Sequence, residues 1–154
     1  MANCVAGCWM AVDPKRHVEI WKLADRAHQG RLIPIMQMIK GWNNQHHGLL
    51  RAFHLETLVL RVLDNVEIAD FPSGVRYVLG RMRTAVQGGI EDPAGLDHDL
   101  SAYLEPADRM EVVTDLETAF ERAVEAERWE YQGKTWQAFV LWQLIFGDYF
   151  PIYI

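Results

Sequence analysis

The sequence predicts an all-α fold: a single helical domain of about six to seven helices, with a short strand remnant at its N-terminus. Three observations lead there. Apolar residues recur at i, i+3, i+4 and i+7 in successive segments, the spacing of one helix face. Helix punctuation, in the form of Asp13-Pro14, Gly30, Pro106 and Gly133, separates those segments. Alternation of period two, the mark of a half-buried strand, is almost missing, and 154 residues suit one domain with a proper core.

The elements follow in order. The stretch CWMAV has strand composition, and residues 1–13 read as a short segment ahead of a helical domain spanning 14–154. Asp13 is an N-cap type and Pro14 suits the first helical position, so the first helix opens there and runs to about Gly30. Val18, Trp21 and Ala24 or Asp25 mark its faces. The second helix extends from Arg31 to about Asn43 on Leu32, Ile35, Met36 and Ile39, with Pro34 tolerated in its first turn. NNQHHG is a polar turn closed by glycine.

The third helix, Leu49 to about Asn65, is apolar nearly all round, as expected at the centre of a helical domain. Its exception is a stripe of His54, Thr57 and Arg61. A fourth follows Phe71-Pro72-Ser73 and places Val75, Val78, Leu79, Met82 and Val86 on one face. GGIEDPAGLDHD is a loop rich in Gly, Pro and Asp, and a short helix is expected over Leu100 to Leu104. Pro106 opens the longest helix, with Met110, Val113, Leu116, Phe120, Ala123 and Val124 on the buried side. Glu117, Glu121, Arg122, Glu125 and Glu127 form its solvated side. Gly133 ends it, and TWQAFVLWQLIFGDYF carries the last helix.

Composition narrows the function classes. The net charge of −6 opposes nucleic acid and anionic membranes, so a phosphate site needs a local arrangement of cations. No run approaches the ~18 apolar residues of a membrane span. The N-terminus lacks a basic n-region and a long apolar h-region, so the expected location is cytoplasmic. Cys4 and Cys8 form CxxxC, which is neither the redox spacing nor half of a zinc finger, and they read as reduced thiols. The six Trp imply broad buried surfaces, within the chain or against a partner.

One cation stands out. Projected at about 100° per residue, Lys40 falls between Met36 and Ile33, inside the apolar arc of the second helix. Two readings are open: its stem packs on the apolar face while the ammonium reaches water, or the ammonium meets a phosphate in a cleft. Phe53 on the next helix offers a ring on which a base could stack. His46 and His47 lie in a turn without carboxylates nearby in sequence, so no metal role is assigned to them. His54-x-Glu56 is not HExxH, and Asp97-His98-Asp99 spells DxD where Asp also serves as a helix-start residue. No P-loop, dinucleotide-binding glycine pattern or GxSxG occurs, so no catalytic residue and no metal ligand is assigned.

The order WMAVDPKRH, LIPIMQMIKGWN, LLRAFHLETL, IEDPAG and LWQLIFGDYF resembles the C-terminal helical half of a nucleotidyltransferase superfamily. Its members are the cyclic GMP-AMP synthase and dinucleotide-cyclase-like (CD-NTase) enzymes, related to oligoadenylate synthases and archaeal CCA-adding enzymes. The likeness runs from about Trp9 to Pro151. In that family an N-terminal palm carries a Gly-Ser turn and metal-binding carboxylates, neither of which matches a position here. The resemblance implies that Lys40 contacts a triphosphate and that Ala52, Phe53 and His54 occupy the base-binding triplet, with Ala52 lacking the hydroxyl often found there. It implies no cofactor in this chain alone, Mg²⁺ and NTP with a palm domain, and a place in second-messenger signalling and antiviral defence.

Two functions therefore stand side by side. One is the nucleotide-cleft half of a cyclic-oligonucleotide synthase, inactive alone and partnered by a palm. The other is a non-catalytic helical module that binds a protein partner or forms a homo-oligomer, for which Trp9, Trp21, Trp42 and Trp129 would supply apolar surface. Neither involves a membrane, and nucleic acid is not an expected partner.

Overall fold

A computed structural model describes residues 14–90 and 99–147. Six helices follow one another: α1 Pro14–Ala27, α2 Leu32–Gln45, α3 Ala52–Val62, α4 Phe71–Ala85, α5 Pro106–Tyr131 and α6 Thr135–Phe146. No strand occurs among the described residues, and the fold is all-α as the periodicity implies. CWMAV, Cys4, Cys8 and Trp9 lie outside the described residues, as do Asp97 and His98.

Local chemistry sets the helix ends. Gly30 (φ +75°) follows α1 and returns its N–H to the Asp25 carbonyl, closing a left-handed C-terminal turn. The Asp25 carboxylate then accepts from the Ile33 N–H at 2.9 Å, so one residue ends α1 and starts α2. Asn43, buried near the end of α2, exchanges two bonds with Leu50 (2.9 and 3.2 Å) and holds the turn into α3. Asp70 caps α4 by accepting from the Ser73 N–H and hydroxyl, and these bonds hold its carboxyl below the usual range. Gly133 (φ +79°) turns α5 into α6.

α5 is the spine, with α4 and α6 packed along it. α2 is the hub, touching α1, α3, α4 and α6. Leu32, Ile35, Ile39 and Trp42 of α2 are fully buried there, as are Leu55, Leu58 and Val59 of α3. Close approach is needed at Gly80 of α4, where an added Cβ would sit 2.8 Å from the Phe120 ring of α5.

Two expectations change. Residues 100–103 form turns rather than a short helix: Asp99 accepts from the Ile90 N–H (3.0 Å) and from Ser101 N–H and hydroxyl (2.9 and 2.7 Å), using the local donors in a bend. The buried side of α5 also differs in part, although Leu116 and Ala123 are buried as expected. Met110 is 72% exposed, and the buried line runs through Val112, Leu116, Ala119, Ala123 and Ala126. The small residues win that face because they let α4 and α6 come close, while the bulkier Val113 and Phe120 flank it half-buried.

The corrected register makes a direct prediction. Leu116→Ala should cost about 2–5 kcal/mol in urea melts, whereas Met110→Ala should stay within about 0.5 kcal/mol of wild type.

Candidate functional site

The cation in the apolar arc of α2 has a partner. Lys40 forms an ion pair with Glu56 of α3. The Glu56 side chain is 9% exposed and that of Lys40 39%, so a buried carboxylate meets a half-exposed ammonium. Glu56 is the mate that sequence reasoning missed, although a carboxylate in a helix otherwise apolar nearly all round was a visible signal. Lys40 has three N–H donors, more than a single carboxylate oxygen engages.

Ala52, Phe53 and Glu56 lie three and four residues apart on α3 and so share a side of it. Ala52 is exposed and Phe53 half-buried. Two rings of α1 meet Phe53: His17 at 4.9 Å and Trp21 at 6.3 Å between centroids. His17 and Trp21 stack on each other at 5.5 Å. The site thus gathers three helices, with aromatic surface from α1 and α3 on one side and the Lys40–Glu56 pair on the other. His17 and Trp21 were not singled out for it from the sequence; their i, i+4 spacing was the available cue.

His54 points elsewhere. It is 1% exposed, and its Nδ1 lies 2.7 Å from the Tyr103 hydroxyl. That hydroxyl accepts from the Arg51 N–H at 2.8 Å, which leaves its own proton to donate to Nδ1. Arg51 also lies over the Tyr103 ring, at 4.4 Å. Burial pushes the His54 pKa down to about 4; the nearby Arg109 guanidinium adds to the shift and Asp99 opposes it. The imidazole is therefore neutral at pH 7. Of the four residues that the family resemblance assigned to nucleotide binding, Lys40 is tied through Glu56 to the side of α3 that carries Ala52 and Phe53, while His54 is enclosed with Tyr103.

Asp99 works as a structural acceptor. Its bonds to Ile90 and Ser101 hold its pKa down to about 2. Arg109 reaches from α5 to the carbonyls of Val86, Gly88 and Ser101, joining the end of α4 to this bend. The described residues bring one set of metal-ligating side chains together, His47 with Glu111 and Asp115, on other elements.

The chain is similar to a probable cyclic nucleotide synthase. Over 147 residues, 95% of its length, it is 24% identical to a probable cyclic nucleotide synthase of Bacillus cereus (strain VD146). It spans 44% of that protein, less than half. No protein-family model matches the chain. The similarity supports a nucleotidyltransferase-like relation at low identity. No described helix is long and apolar enough to cross a membrane.

Two measurements check this geometry. Sequence alone suggests that Lys40→Met would be neutral or stabilising, since Met fills the same apolar space without a charge. Glu56 reverses that expectation: the substitution strands a buried carboxylate and should cost about 1–2 kcal/mol, less than for a fully buried pair because Lys40 is half-exposed. Adding Glu56→Leu should recover most of the loss.

The second concerns pH. A histidine with a depressed folded pKa binds fewer protons folded than unfolded, so stability rises with pH across the gap. His54's contribution is full above its ordinary 6.5 and is lost as the pH falls through about 4. Asp99 acts below that window, losing its contribution as the pH falls from 3.8 through about 2. Denaturation midpoints should therefore decline from neutral pH to the edge of the Asp99 range by the equivalent of up to about 3 kcal/mol. His54→Gln should flatten this decline.

Proposed function

We propose that this chain is the nucleotide-cleft helical half of a cyclic-oligonucleotide (second-messenger) synthase-like nucleotidyltransferase. On this reading a palm domain supplies the catalytic carboxylates and Mg²⁺, and the reaction is attack of a ribose hydroxyl on the α-phosphate of an NTP with release of pyrophosphate. The observation that carries it is Lys40: it pairs across α2 and α3 with Glu56, keeps a half-exposed side chain, and meets α3 one turn after Phe53. Together with the similarity to a probable cyclic nucleotide synthase, it supports a triphosphate contact.

The chain's own residues would bind and orient. Glu56 occupies part of the ammonium and fixes its direction, so Lys40 meets a phosphate oxygen as a positioned point charge. Phe53, half-buried against His17 and Trp21, would offer the ring for a base to stack on. Ala52 adds no hydrogen bond. His54 would act indirectly, through Tyr103 and the Arg51 N–H that opens α3.

A non-catalytic interaction module is the second reading, and α6 favours it. Trp136, Val140 and Leu144 recur every fourth residue on that helix and are 70%, 40% and 48% exposed.

Calorimetry with ATP and Mg²⁺ tests the first reading. The chain should bind the nucleotide, and Lys40→Met combined with Glu56→Leu should weaken binding by about tenfold or more while remaining folded. Alone, the 154-residue chain should release no pyrophosphate from any NTP with Mg²⁺ or Mn²⁺. Unchanged affinity in the double variant would remove Lys40 from the site, and turnover by the chain alone would overturn the two-part arrangement.

A further inference from the structure

The fold supplies His47 with the carboxylates that its sequence neighbourhood lacks. His47 Nδ1 donates to Asp115 Oδ2 at 2.9 Å, across 68 residues of chain. Glu111 lies one helical turn earlier on α5, and one ligand atom from each of the three side chains falls within 4.8 Å of the others. His47 and Glu111 are exposed and Asp115 is half-buried, so the group faces solvent. We propose that His47, Glu111 and Asp115 form a binding site for a divalent transition-metal ion that clamps the α2–α3 turn to α5.

Charge is the first argument. Two carboxylates stand at i and i+4 on one helix, where like charges repel. Among the described residues no lysine or arginine forms an ion pair with either. His47 brings at most one positive charge to the two carboxylates, and a dication neutralises the negative charge that remains.

Preorganisation is the second. The His46 ring donates to the Ile145 carbonyl of α6 at 2.9 Å, and the Gly48 N–H returns to Asn43 at 2.7 Å. His47 itself takes φ +75° between these anchors. The imidazole therefore approaches α5 from a turn fixed on both sides, and little chain entropy remains to be lost on coordination.

The donor set selects the ion. One imidazole nitrogen and two carboxylate oxygens suit Zn²⁺ and its first-row neighbours, whereas Mg²⁺ prefers oxygen ligands and retains its waters. Three protein ligands leave further coordination positions to water or to a ligand of the protein.

Zinc is the probe. The chain is stripped with chelator and titrated calorimetrically, with Cys4→Ser and Cys8→Ser introduced so that thiols cannot compete. The expected result is one saturable ion per chain, a thermal midpoint that rises with zinc, and no response to equal Mg²⁺. Affinity should fall about tenfold or more in His47→Gln and in Glu111→Gln. Both substitutions are at exposed positions, so the zinc-free melts should stay close to the parent and show that folding is intact. Hydrogen exchange should slow in the turn around His46 to Gly48 only when zinc is present. Absence of saturable binding at about 100 µM zinc, or equal affinity in the two variants, overturns the site.

Discussion

A carboxylate on the buried side of an apolar helix needs a cation, and Lys40 supplies it to Glu56. Much of the structure around the candidate site depends on this pair. α2 is the hub of the fold, and its most buried residues lie on the arc that also carries Lys40. The ion pair joins α2 to α3 beside that arc. Removing one partner costs more than the pair itself contributes, because the survivor keeps its charge in poorly hydrated surroundings.

The pair also sets the character of the surface beside it. Phe53, one turn before Glu56 on α3, is in ring contact with His17 and Trp21. On another side of α3, His54 and Tyr103 form an enclosed polar unit, and Asp99 and Arg109 knit the bend before α5 to the end of α4. α3 thus separates two polar environments, one open and built around charge, the other closed and neutral.

Similarity to a probable cyclic nucleotide synthase spans nearly all of this chain but less than half of that relative. A nucleotidyl transfer needs metal-binding carboxylates opposite the phosphates. Within the described residues Asp99 is committed to backbone and hydroxyl donors. On the proposed reading, the helical array would contribute binding and orientation.

The sequence by itself determined the helical class, the positions of the helices and most of the core. Caps and breakers act within a few residues and periodicity within one helix, so Pro14, Gly30, Pro106 and Gly133 mark the helix boundaries to within a few residues. The buried set of α4, from Val75 to Val86, is legible for the same reason. Lys40 was also visible as an anomaly, because a charge in an apolar arc is a local contradiction. The resolution of that anomaly came only from tertiary structure, since Glu56 is brought to it by the turn that Asn43 pins. The same holds for His54, whose enclosure depends on Tyr103 some 49 residues away, and for His47, whose carboxylates lie on α5. The α5 register shows the limit most clearly. Met110 and Ala119 both fit a helix face by period, and the helices packed against α5 decided which of them was buried.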